Sequence, residues 1–110
     1  MQGFRTDSAP LRDYSRFFID LRLVVRASSR LYGRTRDVSE TGLGATVAGD
    51  IKMGEVVELE FKLPETATPL IMMAEIRYRQ GFQYGFRFLN PTAQEREMIR
   101  RATRYLPVVR

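Results

Sequence analysis

The 110-residue chain contains no cysteine, no histidine and no tryptophan, and of its 18 basic residues only Lys52 and Lys62 are lysines. Each shortage closes a class of function. Without cysteine there is no disulfide, thiol nucleophile or thiolate metal site, and a reducing compartment is permitted. Without histidine the chain lacks the commonest metal ligand and the commonest general base near neutral pH. No catalytic residue, metal ligand or cofactor is therefore assigned, and a non-enzymatic role is expected. No apolar run approaches the roughly 20 residues of a membrane span. The opening "MQGFRTDSAP" lacks the basic-then-apolar layout of a signal peptide. No membrane insertion and a cytoplasmic location are expected.

What is present begins with arginine. The net charge is +5 and is unevenly spread: residues 1–36 hold eight Arg and three Asp, residues 37–91 hold five basic and eight acidic residues, and residues 92–110 hold five Arg and two Glu. Both ends are basic and the middle is acidic. Arginine suits planar, bidentate recognition of phosphate and purine edges, and stacking; a codon bias toward Arg would give the same composition.

Residues 1–16, "MQGFRTDSAPLRDYSR", have no apolar period and mix Gly, Pro, Ser and charge, which predicts a mobile arm. From Ile19 the period is two: Ile19, Leu21, Leu23 and Val25 alternate with more polar neighbours, as in a half-buried strand. A turn at "RASS" leads to an extended piece over residues 31–38, then to Leu43, Ala45 and Val47. Val57, Leu59, Phe61 and Leu63 follow, then Leu70, Met72, Ala74, Ile76 and Tyr78 on one face. A tight reversal at "QGF" precedes Tyr84, Phe86 and Phe88. Six short strands joined by short turns predict an antiparallel barrel or sandwich. The C-terminal stretch predicts a helix, for which Asn90-Pro91 and a capping box of Thr92 with Glu95 compete as start signals. Met98, Ile99, Ala102, Tyr105 and Leu106 then share one face that closes an end of the barrel, with Arg96, Arg100, Arg101 and Arg104 mostly in solvent. The expected division is an arm (1–16), a β-barrel (17–89) and a helix with tail (90–110).

Two stretches stand out. In "LRDYSRFFIDLRLVV" Arg12 and Arg16 are four residues apart, a spacing that on a helix would set like charges together at a cost of a few tenths of a kcal/mol. In "RDVSETG", Asp37, Ser39 and Gly42 follow the second extended segment. Alone, that is an ordinary turn. Together, RxxxR before a barrel strand and (D/N)xSxxG after the next strand resemble the PilZ family of bacterial cyclic di-GMP receptors. The defining positions are Arg12 and Arg16 in the first motif and Asp37, Ser39 and Gly42 in the second. A "YGFRF" strand near the end and a closing helix extend the resemblance over nearly all of the chain.

The resemblance implies a mainly β fold, a six-stranded antiparallel β-barrel of PilZ type with a C-terminal helix and a flexible arginine-bearing arm. It implies a receptor or adaptor that binds cyclic di-GMP. That ligand carries two phosphates and two guanines. Arginine can fork onto phosphate oxygens or guanine O6 and N7 and can stack on a base. Asp37 can accept from the Watson-Crick edge of guanine, the Ser39 hydroxyl can donate or accept, and Gly42 lets the turn bend and the ligand approach the backbone. Tyr14, Phe17 or Phe18 could flank a guanine, although core packing is the better reading of the two phenylalanines. The position before Arg12 is Leu11, which cannot neutralise a phosphate, so one ligand per chain is expected; Arg5, Arg34 and Arg36 are secondary candidates for further charge.

Other readings meet obstacles. Glu58 and Glu60 alternate with core residues and read as the polar side of a strand, not a catalytic pair. Tyr84, Phe86 and Phe88 read as core, not as a stacking platform. A sequence-tolerant binder of single-stranded nucleic acid would suit pI ≈ 10.1, but the basic residues sit at the chain's ends instead of along one strand face. A PilZ-like protein-interaction module without nucleotide binding would use the Arg-rich C-terminal helix. No downstream protein partner is named by the sequence.

Overall fold

The computed structural model describes residues 14–109. Among them run seven strands, β1 (Phe17–Phe18), β2 (Arg22–Arg26), β3 (Arg30–Val38), β4 (Gly42–Val47), β5 (Val56–Phe61), β6 (Leu70–Gln80) and β7 (Gln83–Phe88), and one helix, α1 (Ala93–Thr103). The sheet order β1-β3-β2-β5-β6-β7-β4 closes through a further pairing of β3 with β4. Strands β2 to β7 thus form a closed, six-stranded antiparallel barrel. Closure leaves no unpaired sheet edge along those six strands.

Alternation decides what faces inward. Leu23 and Val25, Leu43, Ala45 and Val47, Val57 and Leu59, and Tyr84, Phe86 and Phe88 are all buried at 4% exposure or less. The Phe61 and Phe88 rings stack at 6.1 Å between centroids. Glu58 and Glu60 lie on the outer face and both bind the Arg26 guanidinium, at 3.1 and 2.6 Å. The β6–β7 reversal is a two-residue turn with Gly81 at φ 62°, a left-handed first position that glycine adopts without strain.

Three features depart from the simple period. The strand expected from Ile19 starts only at Arg22, and residues 19–21 form a break between β1 and β2, which lie end to end along one side of β3. Thr35 bridges the break: its hydroxyl donates to Ile19 O at 2.6 Å and accepts from Leu21 N at 2.9 Å. Second, β6 shifts register between Ile76 and Tyr78, so the extra residue turns Tyr78 outward and leaves it 49% exposed instead of in the core. Third, the helix ends at Thr103, and Tyr105, expected on its buried face, is 89% exposed. The capping box is the start signal that forms, with Glu95 N to Thr92 Oγ1 at 3.0 Å and Thr92 N to Glu95 Oε1 at 2.9 Å. Ile99 enters the core from α1, with Met98 and Ala102 packed against it. No helix among the described residues is long and apolar enough to cross a membrane.

Candidate functional site

The second motif is the β3–β4 hairpin. Its loop is Ser39, Glu40 and Thr41, closed by Ser39 N to Gly42 O at 2.8 Å. Buried Ser39 turns its hydroxyl back on the loop, accepting from Thr41 N at 3.1 Å and Gly42 N at 3.2 Å. Two otherwise unpaired amides are thereby satisfied, which fixes the loop's shape.

Asp37 reaches the site through a bulge. In β3 the odd positions up to Thr35 face inward, so an unbroken strand would drive the Asp37 carboxylate into the core. The register shifts between Thr35 and Asp37, and the extra residue turns Asp37 to the outer face opposite Gly44. The carboxylate is nonetheless only 2% exposed. Arg16 holds Oδ1 in a short contact, and Arg36 Nε holds Oδ2 at 2.9 Å. Residues of the two motifs, 21 apart in the chain, meet in that first ion pair.

Beside this pair a groove of about 390 Å³ runs over the outer face of β4 and β7. Arg16 and Arg36 stand on the β3 side, Arg77 and Tyr78 on the β6 side, and Arg87 between them. The floor is nearly bare backbone. Leu43, Ala45, Tyr84 and Phe86 face the core, so Gly42, Gly44 and Gly85 occupy outward positions, with Gly44 directly opposite Gly85. Four guanidinium groups around a floor with few side chains of its own fit a planar, anionic ligand.

Of the residues picked out in the sequence, Arg16, Arg36, Asp37, Ser39 and Gly42 come together here. Arg34 does not line the groove and pairs with Asp20 at 2.7 Å. Arg5, Leu11 and Arg12 lie outside the described residues. Phe17 is half-buried, whereas Phe18 is 46% exposed and so does not pack in the core. Tyr14, 44% exposed, lines clefts beside the groove with Thr41 and Arg87 on one side and Glu40 and Arg100 on the other. Arg77, Tyr78, Arg87, Gly44 and Gly85 were missed. Alternation within "GLGATV" and "QYGFRF" carries the signal for Gly44, Gly85 and Arg87, since apolar neighbours facing inward put all three outside.

The loop is also tied to α1. Arg100 forks onto Glu40, with Nε to Oε2 at 3.0 Å and Nη2 to Oε1 at 3.1 Å, and also contacts Glu97. The Glu40 hydrogen bond, followed by its charge, raises the Arg100 pKa above the ordinary arginine value. Among the described residues no cluster of acidic side chains is arranged to hold a metal ion.

Residues 10–105 match the family model described as the PilZ domain. Three solved structures share the fold. The inhibitor of motility MotI/DgrA of Bacillus subtilis superposes with a TM-score of 0.72 at 15% identity, covering 86% of this chain. This chain spans 50% of that protein's length. The PilZ domain of YcgR from Escherichia coli, a structure with c-di-GMP, gives 0.72 at 19% identity over 88% of this chain and 92% of that one. The PilZ domain of CeSA from a cellulose-synthesizing bacterium gives 0.64 at 18% identity, over 80% and 93%. No curated protein sequence matches the chain significantly. With both motifs in order on a closed barrel and a family model that spans nearly its whole length, the chain belongs to the PilZ domain family.

Proposed function

We propose that the groove binds cyclic di-GMP and that the domain is a non-enzymatic receptor or adaptor in bacterial second-messenger signalling, of the kind that controls motility, biofilm formation or exopolysaccharide synthesis. The observation that carries this reading is the meeting of Arg16 and Asp37 at one end of a groove ringed by arginines. The c-di-GMP in the YcgR domain and the motility role of MotI support it by analogy of fold. In the proposal Arg12 and Arg16 take the phosphates and guanine acceptors. Asp37 holds the arginines and offers its carboxylate to the guanine edge. Ser39 and Gly42 shape the loop. The domain acts in the cytoplasm and takes one ligand per chain, since Leu11 puts no third arginine beside Arg12 and Arg16 on the arm. Its downstream partner is a protein, to which the bound state is passed.

Calorimetric titration with cyclic di-GMP, beside GTP and a single-stranded oligonucleotide, tests the reading. Saturable binding of cyclic di-GMP alone, with one ligand per chain at the endpoint, is expected. Charge-assisted hydrogen bonds contribute about 1.5–3 kcal/mol each, so Arg12→Ala and Arg16→Ala should each weaken binding about tenfold or more. No heat with cyclic di-GMP would overturn the reading. Oligonucleotide binding with a steep salt dependence would replace it with nucleic-acid recognition.

A further inference from the structure

The motif residues account for Ser39 and Gly42 but leave Glu40, between Ser39 and Thr41, without a role. It is not a solvated loop residue. Its side chain is 16% exposed, and both oxygens are taken by the Arg100 fork from the last turn of α1. Thr41 and Gly42, the next two residues, line the groove. The Ser39 hydroxyl fixes the internal shape of this loop, and on the strand side Phe88 N donates to Thr41 O at 2.8 Å, which leaves its helix side to be set. Packing does not settle the tilt on the helix side, because a cleft of about 430 Å³ lies there, bounded by Tyr14, Phe17, Glu40, Arg100 and Thr103. Among the described residues the hydrogen bonds between loop and helix are those of the Glu40–Arg100 fork.

We propose that Arg100 is a positioning residue for the binding site: its fork to Glu40 sets the tilt of the Ser39–Gly42 loop, and so links the seating of α1 to ligand affinity. An isolated exposed ion pair contributes little to stability, but a bidentate arginine–carboxylate fork is the geometry in which orientation is fixed. The fork needs the planar guanidinium; a lysine supplies a point charge without it. Linkage makes the effect reciprocal, so a ligand that favours the seated loop also favours the seated helix.

The inference rests on cyclic di-GMP as the ligand, and the test separates the two. Arg100→Gln and Glu40→Gln should each weaken cyclic di-GMP binding roughly fivefold or more, and the double variant should be no weaker than the worse single one. Arg100→Lys should recover less than half of the loss. Arg101→Gln, one residue along on the exposed side, should change nothing. In the ligand-free protein, amide exchange at Thr41 and Gly42 should accelerate in Arg100→Gln and not in Arg101→Gln. If the wild type binds and Arg100→Gln binds equally well, the positioning role is wrong. It is equally wrong if Arg101→Gln weakens binding as much, since general charge would then be the cause. If the wild type does not bind cyclic di-GMP, the functional reading falls by itself. The exchange rates then decide the fork's role alone, unchanged rates overturning it and faster rates upholding it.

Discussion

Asp37 is buried on the outside of the barrel, under two guanidinium groups instead of under apolar side chains. An ion taken from water is tolerated only when paired and hydrogen-bonded, and each oxygen here has its arginine. The arrangement holds Arg16 and Arg36 beside the groove before an anion arrives, which reduces the ordering that binding must impose. Gly44 makes the room. A Cβ there would stand 2.6 Å from Arg36 Nη2 and 3.0 Å from Asp37 Oδ1, both ends of side chains that can shift. Gly42 differs: its Cβ would stand 2.1 Å from the backbone oxygen of Phe86, next to its ladder partner Arg87 on β7. Gly44→Ala should therefore keep the melting temperature within a few degrees while weakening cyclic di-GMP about tenfold. Gly42→Ala must push strands apart, at about 1–3 kcal/mol, and lower the melting temperature by about 4–8 °C per kcal/mol. Thermal melts and titrations of the two variants check this, and wild-type affinity in Gly44→Ala would remove the Arg36–Asp37 pair from the site. The motif made Asp37, Ser39 and Gly42 legible in the sequence. Gly44 was not, because a glycine in a strand reads as weak pairing until the charges above it are placed.

At the scale of elements, bulges account for most of the distance between sequence and structure. Alternation places the core of β2, β4, β5 and β7 correctly, because in those strands the period is never broken. A bulge inserts one residue without changing composition, and every side chain beyond it changes face. That is why Tyr78 stands over the groove, not in the core, and why Asp37 reaches the outer face at all. Tyr105 was misread for another reason: helical periodicity does not say where a helix stops. The break between β1 and β2 has its own bracket in Thr35, which is 4% exposed. Its backbone N–H also donates to Leu21 O at 2.9 Å. Thr35→Val preserves shape but strips the hydroxyl, leaving the Ile19 carbonyl and the Leu21 amide without that partner. A buried group left unpaired costs about 1–3 kcal/mol. Urea unfolding should show a lower midpoint at unchanged slope, with Thr35→Ser largely restored. An unchanged midpoint in Thr35→Val would mean that the break is held by the flanking strands alone.

Across the whole molecule, the two basic ends of the chain converge. Phe18 N donates to Pro107 O at 2.9 Å, Val109 N donates to Arg16 O at 2.8 Å, and Phe17 bridges Val108. Phe17 and Phe18 pair on their other side with Val38 and Asp37 of β3. Segment 16–18 is thus a strand between β3 and the tail. Like charge does not favour the meeting of these ends, and nothing in a single sequence announces that residues some 90 apart will pair; only closure of the barrel brings them together. The consequence falls on Arg16, whose side chain lines the groove while its carbonyl is held by the tail. A ligand that fixes the guanidinium and a tail that fixes the backbone favour the same position of Arg16, so each should strengthen the other. Hydrogen exchange reads the local opening of such a pairing. The Val109 amide should exchange more slowly once cyclic di-GMP is added, and removal of residues 107–110 should weaken the ligand several-fold while the slowest barrel amides keep their rates. Faster exchange at Val109 on binding would reverse the sign of the coupling: the ligand would then be drawing the arm off the tail, and the truncated chain would bind more tightly than the full one.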